Sequence, residues 1–536
     1  MKHISTQEVR HVKGTFDLLI IGGGSAAFAA AAEASTMGAR VGMIERGTIG
    51  GTCVNVGCIP SKALLQAADL YARAAHHPFQ GMTFSPEALD VPALLAQKDA
   101  LVETLVREKY IDLLAFYGIT LISGEGAFVD AHTVQVNGAF YRGEKILIAT
   151  GTRPAVPYIP GLTSIGYWTS TEALQPSYIP EHLIIIGAGY IALELGLMYR
   201  ALGSRVTLIQ RGTRLLRTLD ADMSEVVQRI LKKKGIQVLT GARIERIEGL
   251  PGAVKARQKV RLTISLVHPV YHEQPSAHHE HASIRRDEAP AHRNHVASYR
   301  DEKIVLPGTA PHEQTSAQSI QIEGEQLLLA TGRTPNTERL RLERAGVQLG
   351  RRGEIIVDET LATQTPHIFA AGDVTLGSQY VYVAAYEGKL AAHNALLDNG
   401  GSDRIYRNLT VVPSVIFTDP QIATVGLTEE AARTRGLAVT VARLSLTDIA
   451  RARVRYEEEG AYKLIFDQAS LRLLGAEIIA PEAGEVIYAA TLAVKFGLTR
   501  DDLVDTFVPY LTMAEGLRLT ALSIQKDVRK LSCCAG

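Results

Sequence analysis

Two cysteines, Cys53 and Cys58, lie five residues apart in a glycine-rich segment that spans residues 50–62. Two thiols at this spacing can alternate between a dithiol and a disulfide, and positive charge nearby would stabilise a reactive thiolate. Two small buried side chains in a core would not explain the glycines that surround the pair. The segment therefore predicts a redox-active dithiol.

A second pair, Cys533 and Cys534, stands at the carboxyl end of the sequence. Adjacent cysteines bond to each other only with strain, but two thiolates on a chain end can capture a soft, thiophilic cation and release it by ligand exchange. An inert tail that carries two thiols is the alternative. Four cysteines in 536 residues make no disulfide framework, and their pairing indicates redox or metal chemistry in a reducing compartment.

A dinucleotide-binding pattern precedes the first cysteine pair. An apolar run at 18–21 leads into Gly22, Gly24 and Ala27, which form the GxGxxA fingerprint, and Glu45 closes the next apolar run. Glycines let the backbone approach a pyrophosphate, the N-terminus of the following helix stabilises its charge, and the acidic residue accepts hydrogen bonds from ribose hydroxyls. The pattern predicts the strand, turn and helix that open a βαβ unit.

The same pattern recurs 165 residues later, at Gly187, Gly189 and Ala192. Gln210, followed by Arg211, takes the position that corresponds to the acidic residue of the first copy. A carboxylate there would repel a 2′-phosphate, whereas glutamine and arginine can accept it, so the second site is expected to prefer NADPH over NADH. A solvated surface charge is the alternative interpretation of Arg211.

Two dinucleotide sites imply two cofactors between which electrons pass, and a flavin is the natural recipient. Later glycine-containing segments agree with this interpretation. They contain Thr150 with Gly151, Gly332, and Gly372 with Asp373, whose carboxylate is suited to hold ribityl hydroxyls. The repeated βαβ openings predict an α/β fold.

Length, charge and hydropathy exclude several classes of protein. A chain of 536 residues is expected to form about three to four domains. The 56 basic and 56 acidic residues cancel, so no long-range field would attract nucleic acid or an anionic membrane. The first residues lack the apolar stretch of a signal peptide, and no apolar run is long enough to span a bilayer. We expect a cytoplasmic protein without a membrane span.

A histidine-rich segment at about 251–319 holds eight of the 16 histidines and is expected to be an insertion. Imidazoles bind borderline metals, which is the basis for a metal-site hypothesis. The histidines show no fixed HxxxH or CxxC spacing, so an exposed loop without a ligand role is favoured.

The two fingerprints and the dithiol segment, residues 51–58, together resemble the FAD-dependent pyridine nucleotide-disulfide oxidoreductases. The resemblance implies two Rossmann-like dinucleotide-binding domains and a C-terminal α+β dimerisation domain. It divides the chain into an FAD-binding domain at 1–160 and 334–407, an NADPH-binding domain at 161–333, and a dimerisation domain at 408–536 that ends in the Cys533-Cys534 tail.

The resemblance also implies roles for individual residues. Cys53 would exchange with the substrate, Cys58 would contact the flavin, and Lys62 would lie near flavin N5 and pair with Glu194. The residues expected at the FAD site are Gly22, Gly24, Ala27, Glu45, Gly51, Thr52, Lys62, Thr150, Gly151, Gly372 and Asp373. Those expected at the NADPH site are Gly187, Gly189, Ala192, Gln210, Arg211 and Gly332.

One departure from that family narrows the substrate. Members that reduce organic disulfides carry a His-Pro pair near the carboxyl end as an acid and base. Here Tyr510 stands at the histidine position, and Glu515 follows it. Tyrosine, with an ordinary pKa near ~10, is a poor proton shuttle at neutral pH, although its oxygen can approach a metal. A disulfide substrate is therefore disfavoured.

The dithiol segment, residues 509–516 and the terminal residues 532–536 resemble the branch of the family that reduces mercury(II). The resemblance implies Hg(II), bound as a thiol complex, as substrate, and a homodimer with shared active sites. Cys533 and Cys534 of one subunit would pass Hg(II) to the dithiol of the partner subunit. Tyr110 and Tyr510 would lie near the metal; without the resemblance, Tyr110 is better explained as a half-buried aromatic on an amphipathic helix.

Two other functions stay open at this point. One is an NAD(P)H-dependent disulfide reductase of the dihydrolipoamide or glutathione type, against which the missing histidine argues. The other is a non-catalytic protein that sequesters soft metals with its thiols and histidines. Because the first predicted flavin strand begins by residue 16, we expect no N-terminal metal-capturing domain, and delivery of mercury would rest on the tail or on soluble thiols.

Overall fold

The computed structural model describes residues 11–84, 88–250, 259–266, 318–397 and 403–531. Its strands are β1 (Val12–Ile21), β2 (Val41–Glu45), β3 (Thr120–Ser123), β4 (Gly126–Phe128), β5 (Thr133–Val136), β6 (Ala139–Ile148), β7 (Thr152–Pro154), β8 (His182–Ile186), β9 (Arg205–Ile209), β10 (Ile236–Leu239), β11 (Ala242–Gly249), β12 (Val260–Leu266), β13 (Gln318–Gly324), β14 (Gln326–Leu329), β15 (Arg333–Pro335), β16 (Ile368–Ala370), β17 (Ser414–Ile416), β18 (Gln421–Gly426), β19 (Val439–Ser445), β20 (Ala461–Asp467) and β21 (Leu473–Ala480).

The α-helices are α1 (Ser25–Thr36), α2 (Gly51–Val56), α3 (Cys58–Ala75), α4 (Val91–Val106), α5 (Asp112–Phe116), α6 (Ser170–Ala173), α7 (Tyr190–Ala201), α8 (Ala221–Lys233), α9 (Val381–Leu396), α10 (Glu429–Thr434), α11 (Ala450–Arg455), α12 (Ala483–Phe496), α13 (Arg500–Asp505) and α14 (Glu515–Leu522). A π-helical turn, Arg107–Ile111, joins α4 to α5. Short 3₁₀ turns occupy Leu162–Ser164, Leu342–Ala345, Gly372–Thr375, Leu446–Asp448 and Val528–Lys530.

The first sheet has the strand order β3-β2-β1-β6-β5-β4, with β16 also paired to β6. Its β1, β2, β3, β6 and β16 pairs are parallel, whereas β4 and β5 form an antiparallel extension. Leu18, Leu19 and Ile20 of the central strand β1 are fully buried, as both faces of a covered parallel sheet require. Helix α1 packs against α9 of the later segment, so two distant parts of the chain build this unit.

The second sheet repeats the parallel part of the first, with the order β10-β9-β8-β14. The repeat extends to single hydrogen bonds. Gly22 N–H donates to Ile44 O at 2.8 Å after β1, and Gly187 N–H donates to Ile209 O at 2.8 Å after β8. The repeat seen in the sequence is therefore a structural repeat, with β1 and β8 as the strands that carry the two fingerprints.

The histidine-rich segment is only partly an insertion, which corrects the sequence-based boundary of 251–319. Residues 260–266 form β12, the middle strand of an antiparallel sheet with the order β11-β12-β13. Val260, Leu262 and Ile264 are fully buried. The alternation of these apolar residues with Arg261 and Thr263 is the period-two pattern of a half-buried strand. The eight histidines themselves lie outside the described residues.

The C-terminal unit is built on an antiparallel sheet with the order β17-β18-β21-β20-β19. Helices α12 and α14 pack on it, and Tyr462 and Phe466 of β20 are fully buried in its core. With the two nucleotide-type sheets, this unit confirms the predicted α/β class, including the α+β C-terminal domain. Among the described residues, no helix is both long and apolar enough to cross a membrane.

A buried ionic cluster joins the second nucleotide unit to the C-terminal unit. Lys463, of which 1% of the side chain is exposed, places Nζ 2.9 Å from Asp220, 2.8 Å from Asp222 and 3.1 Å from Glu429. Glu477 Oε1 accepts the backbone N–H of Asp220 at 2.9 Å. Its Oε2 is buried and has no hydrogen-bond partner in the described part of the chain. Lys463 of the C-terminal sheet thus holds carboxylates from both units together at the domain contact.

Candidate active site

The two cysteines of the first pair lie at the junction of α2 and α3. Cys53 belongs to α2, Cys58 is the first residue of α3, and Gly57 makes the turn between them. A Cβ on Gly57 would stand 2.8 Å from Thr52 O, so only glycine lets the two helices meet this closely. Both cysteines are free thiols and line one cavity of about 260 Å³.

The environment makes the two thiols chemically unequal. The hydrogen bond from Cys53 lowers the pKa of Cys58 below that of an ordinary thiol, and the charge of Lys62 lowers it further against the opposing effect of burial. The same hydrogen bond raises the pKa of Cys53, together with burial and the charge of Cys58. Within the pair, Cys58 is therefore the more acidic thiol and the one favoured as a thiolate.

Lys62 lies one turn beyond Cys58 and is fixed from the second nucleotide unit. Its Nζ donates to Glu194 Oε2 at 2.7 Å, and Glu194 Oε1 accepts the backbone N–H of Phe417 at 2.9 Å. The ammonium group also lies 4.8 Å from the centre of the Phe417 ring. The pair implied by the resemblance is thus present, and it holds a positive charge beside the thiolate.

Tyr110 comes to the thiols from the π-helical turn between α4 and α5. Its ring meets Phe28 edge-on at 4.8 Å, and a Cβ on Gly50 would stand 3.2 Å from it. Burial is the main cause that raises the pKa of Tyr110, the nearby cysteines add to the rise, and a hydrogen bond with Ser25 opposes it. Single π-helical turns often occur at functional sites because they redirect one side chain. Tyr110 is half-buried and packs beside Gly50, the N-cap of the helix that carries Cys53.

The first glycine loop forms a cradle that runs from Glu45 to the dithiol. Gly22, with φ +119°, packs so closely on Ala149 O that any Cβ would overlap it, and a Cβ on Gly51 would stand 2.7 Å from Gly24 Cα. Gly22 and Glu45 line a cavity of about 980 Å³, and Gly24 lines the dithiol cavity. Ala27 is fully buried in α1. An extended dinucleotide such as FAD fits this cradle.

The second glycine loop has the same geometry. Gly187, with φ +112°, packs on Ala330 O as Gly22 packs on Ala149 O, and Ala192 is fully buried in α7. Ile186 pairs with Ile209 as Ile21 pairs with Ile44, so Gln210 occupies the structural position of Glu45. Gly189 precedes α7 as Gly24 precedes α1, and Gly332 follows β14 with φ +112°. This loop fits a second dinucleotide.

Positive charge surrounds the end of β9 beyond Gln210. Arg211 is exposed, and Arg217, which the sequence patterns did not single out, lies with its Cδ 3.9 Å from where a Cβ of Gly212 would stand. Two arginines on one exposed loop are suited to a 2′-phosphate. The arginine-rich composition of residues 211–217 was the feature of the sequence that could have identified Arg217.

A buried polar group closes the cavity opposite the dithiol. Asp373 Oδ2 accepts the hydroxyl of Thr152 at 3.0 Å, and Arg333 Nε, 3.9 Å from the same carboxylate, donates to Thr152 Oγ1 at 2.6 Å. Burial raises the pKa of Asp373, while the Thr152 hydrogen bond and Arg333 oppose that rise. Gly372, with φ +75°, donates its N–H to Glu387 Oε2 at 2.9 Å.

Thr152 and Arg333 were not among the predicted site residues. They lie one residue beyond the glycines of two related segments, 149–151 and 330–332, and the antiparallel pair β7 and β15 brings them together. A comparison of the residues that follow Gly151 and Gly332 in the sequence would have identified them. Thr150, one of the predicted residues, donates its hydroxyl to Asn336 O at 2.9 Å and so joins the first of these segments to the end of β15.

Among the described residues, Tyr510 does not line the dithiol cavity of its own chain. It lies in the C-terminal unit, between α13 and α14, and is 49% exposed. Cys533 and Cys534 lie outside the described residues. The cavity itself is walled by α2 and α3 on one side and by Ile191, Glu194 and Leu195 of α7 on the other.

Sequence comparison places the chain beside known families. Residues 16–268 and 292–388 match the family described as pyridine nucleotide-disulphide oxidoreductase, and residues 412–521 match its dimerisation domain. The chain is 46% identical over 523 residues to mercuric reductase of Staphylococcus aureus, with 98% of this chain and 85% of the relative covered. It is 39% identical over 530 residues to mercuric reductase of Shigella flexneri, with 98% and 83% covered.

Solved structures with the same fold include the HOCl-induced flavoprotein disulfide reductase RclA from Escherichia coli. Its Cu(II) complex superposes with a TM-score of 0.75 at 29% identity and covers 96% of this chain and 100% of that one. A second structure of RclA gives the same TM-score of 0.75 at 28% identity, with 95% of this chain and 100% of that one covered.

Proposed function

Because the chain belongs to the pyridine nucleotide-disulphide oxidoreductase family, we propose that it is a mercury(II) reductase. The reaction is NADPH + Hg(II) → NADP⁺ + H⁺ + Hg(0). Relatives named mercuric reductase, 46% and 39% identical over nearly the whole chain, support this activity. The observation that carries it is the pair of free thiols, Cys53 and Cys58, held beside the Lys62–Glu194 pair in a cavity walled by both nucleotide units.

The two thiols are the residues that bind the metal. Hg(II) is a soft cation that prefers thiolate sulfur over the nitrogen and oxygen groups nearby. Cys58 supplies a thiolate at neutral pH, and Cys53 becomes the second ligand as it loses the proton that the two thiols share. Lys62 offsets the negative charge that builds up on the pair, and its bond to Glu194 keeps the ammonium group in place.

FAD and a pyridine nucleotide are the cofactors of the family, and bound FAD supplies the redox link between the nucleotide and the thiol pair. The cradle of Gly22, Gly24 and Gly51 would hold its pyrophosphate, and Glu45 its ribose. Asp373, fixed by Thr152, would accept hydrogen bonds from the ribityl hydroxyls. Leu174 and Ile191 line part of the same cavity with apolar side chains, which would limit the access of water.

The dimerisation domain indicates a homodimer, and the active sites are proposed to be shared between its subunits. Tyr510 lies on an exposed part of that domain, from which it would reach the dithiol of the partner subunit. Cys533 and Cys534 would collect Hg(II) from soluble thiols and deliver it there by thiol exchange. Tyr110, a neutral phenol beside the dithiol, would approach the metal from within the same subunit.

A direct assay tests the activity. Purified protein is expected to oxidise NADPH when Hg(II) and excess thiol are supplied, and to release volatile Hg(0) in equal amount. The structure of RclA, a flavoprotein disulfide reductase, makes lipoamide and oxidised glutathione the necessary comparison substrates. NADPH oxidation that follows either disulfide but not Hg(II) would replace the proposed activity by disulfide reduction, and protein without bound flavin would favour metal sequestration.

The arginine beyond β9 is expected to set the nucleotide preference. Arg211→Ala should lower kcat/KM for NADPH by about 10- to 100-fold, because one charge-assisted contact to the 2′-phosphate is lost. NADH lacks that phosphate, so its kcat/KM should change by less than about twofold. The ratio of kcat/KM values for the two nucleotides, measured with saturating Hg(II), gives the result.

Arg214→Ala is the matched control for that loop. Arg214 lies three residues further on, and its guanidinium is 3.3 Å from Glu430 of the C-terminal unit. Its removal is expected to leave the NADPH-to-NADH ratio unchanged. An equal loss with both nucleotides in Arg211→Ala would show that Arg211 acts on the fold and does not contact the phosphate.

A further inference from the structure

The loop that carries Tyr510 has an unusual backbone. Between α13 and α14 the chain turns at Leu511, whose φ of +59° lies in the left-handed region. A leucine in this region is uncommon, since its Cβ meets the backbone there and glycine or asparagine would be easier to accommodate. Residues held in such a conformation need support from their surroundings, and they cluster at functional sites.

Glu515 supplies that support. Its Oε2 accepts the backbone N–H of Leu511 at 2.8 Å, four residues back along the chain. Thr512 closes the other side of the turn by donating its hydroxyl to Pro509 O at 2.8 Å. The side chains of Glu515 and Thr512 thus fix the backbone conformation on both sides of Tyr510.

The base of the loop is rigid. Tyr462 of β20 is fully buried and donates its hydroxyl to Met513 O at 2.7 Å. Gly516, the second residue of α14, packs directly on the Tyr462 ring, with no room for a Cβ. Glu515 lies between these two anchored residues, so its carboxylate connects a fixed base to the tip that carries Tyr510.

The tip of the loop faces outwards. Tyr510 is 49% exposed, Leu511 is 37% exposed and Phe507 is fully exposed. Within one chain these side chains do not line the dithiol cavity. An ordered, supported and outward-facing tyrosine on a dimerisation domain is suited to complete a site on a second subunit.

We propose that Glu515 is a positioning residue that holds the Leu511 turn and thereby directs Tyr510 at the dithiol of the partner subunit. This inference rests on the proposed function. The carboxylate acts through its hydrogen bond to Leu511 N–H, and neither proton transfer nor metal binding by Glu515 is required.

Four variants of the holoenzyme test this role. Glu515→Ala is expected to lower kcat with thiol-complexed Hg(II) by about 10-fold, with a smaller change in KM. Glu515→Gln keeps an oxygen that can accept the Leu511 N–H and should stay within about twofold of the wild type. Adding Leu511→Gly to Glu515→Ala should restore most of the activity, because glycine adopts positive φ without support. In a Tyr510→Phe background, Glu515→Ala should have almost no further effect.

Asp505→Ala is the matched control. It removes an exposed carboxylate at the end of α13, just before the same loop. This variant is expected to leave the rate of the mercury reaction unchanged. The proposal is overturned if Glu515→Gln is as impaired as Glu515→Ala, or if Glu515→Ala loses a further 10-fold in the Tyr510→Phe background. If Glu515→Ala does not fold, the glutamine variant and the Glu515→Ala/Leu511→Gly pair still decide the question.

A second readout separates this inference from the proposed function. Hg(II) titrated into the reduced enzyme removes the thiolate absorbance of the dithiol, and this binding can be followed without turnover. A wild type that shows no Hg(II)-dependent NADPH oxidation would refute the proposed function alone. Weaker Hg(II) binding in Glu515→Ala than in the wild type, recovered when Leu511→Gly is added, would still support the positioning role. Equal Hg(II) binding by Glu515→Ala and the wild type would refute it.

Discussion

Cys58→Ala is expected to lower Hg(II)-dependent NADPH oxidation by about 1,000-fold or more, because it removes the group that is already a thiolate at neutral pH. Cys53 cannot replace it, since the variant keeps a single thiol, and burial still raises the pKa of that thiol after its hydrogen bond to Cys58 is gone. The reduced protein should also lose the long-wavelength absorbance that a thiolate gives against a flavin. Steady-state turnover and the spectrum of the anaerobically reduced protein measure the two effects.

Cys53→Ala is the matched control because it removes the other thiol of the same cavity. Cys58 then loses a hydrogen-bond donor but keeps Lys62, so the thiolate absorbance should persist at alkaline pH while turnover is lost. The two variants thus separate the thiolate from the exchanging thiol. A long-wavelength band that survives in Cys58→Ala and disappears in Cys53→Ala would reverse the two assignments.

The nucleotide-binding parts of the molecule could be predicted from the sequence because their determinants are local. Gly22 and Gly187 are required by a turn that packs against Ala149 O and Ala330 O, and this requirement reappears in the sequence as the same spacing of small residues. Glu45 and Gln210 occupy one structural position because each follows a strand of the same register. The sequence alone therefore predicted that this position is acidic in the first copy and neutral in the second.

Contacts between residues that are far apart in the chain could not be predicted from sequence patterns. Lys62 and Glu194 are 132 residues apart, and only the family resemblance indicated their contact. Thr152 and Arg333 meet because two short strands pair, and strands of three residues leave too little periodicity to detect. Tyr510 is proposed to act at the dithiol of another subunit, and a single chain does not show a contact between subunits.

The histidine-rich segment shows how composition can conceal a core element. Its histidines, prolines and charges suggest a loop, yet residues 260–266 alternate apolar and polar side chains and form the middle strand of a sheet. Burial of Val260, Leu262 and Ile264 supplies the free energy that fixes this strand. Periodicity over seven residues was the better indicator here than average composition over the whole segment.

Glu477→Gln is expected to stabilise the protein at alkaline pH. Burial, followed by the charge of Asp220, raises the pKa of Glu477 to about 8 from an ordinary value of 4.5. Between these values the folded protein holds a proton that the unfolded chain has lost, so the free energy of unfolding falls as pH rises from 4.5 to 8. At about 1.4 kcal/mol for each pKa unit, the loss is on the order of 4 kcal/mol.

Glutamine resembles the protonated acid but does not ionise, so the variant should lack that loss. Its free energy of unfolding should exceed that of the wild type by a few kcal/mol, roughly 2–4, at pH 8, and the two should agree within about 1 kcal/mol at pH 5. Urea unfolding of both proteins at one fixed subunit concentration, across about pH 5 to 8.5, gives the comparison, because a dimer's stability depends on concentration.

Glu429→Gln, a substitution in the same cluster, is a control that is expected to change the free energy of unfolding in the opposite direction. Although burial opposes it, the hydrogen bonds from Lys463 and Arg433 lower the pKa of Glu429, so its carboxylate stabilises the folded state above pH 4.5 and loses that effect as pH falls through its folded pKa. Glu429→Gln should therefore weaken the protein at pH 8, where Glu477→Gln strengthens it. Equal destabilisation by both at pH 8 would mean that Glu477 is ionised in the folded protein, contrary to the raised pKa that burial gives its carboxyl group at this domain contact.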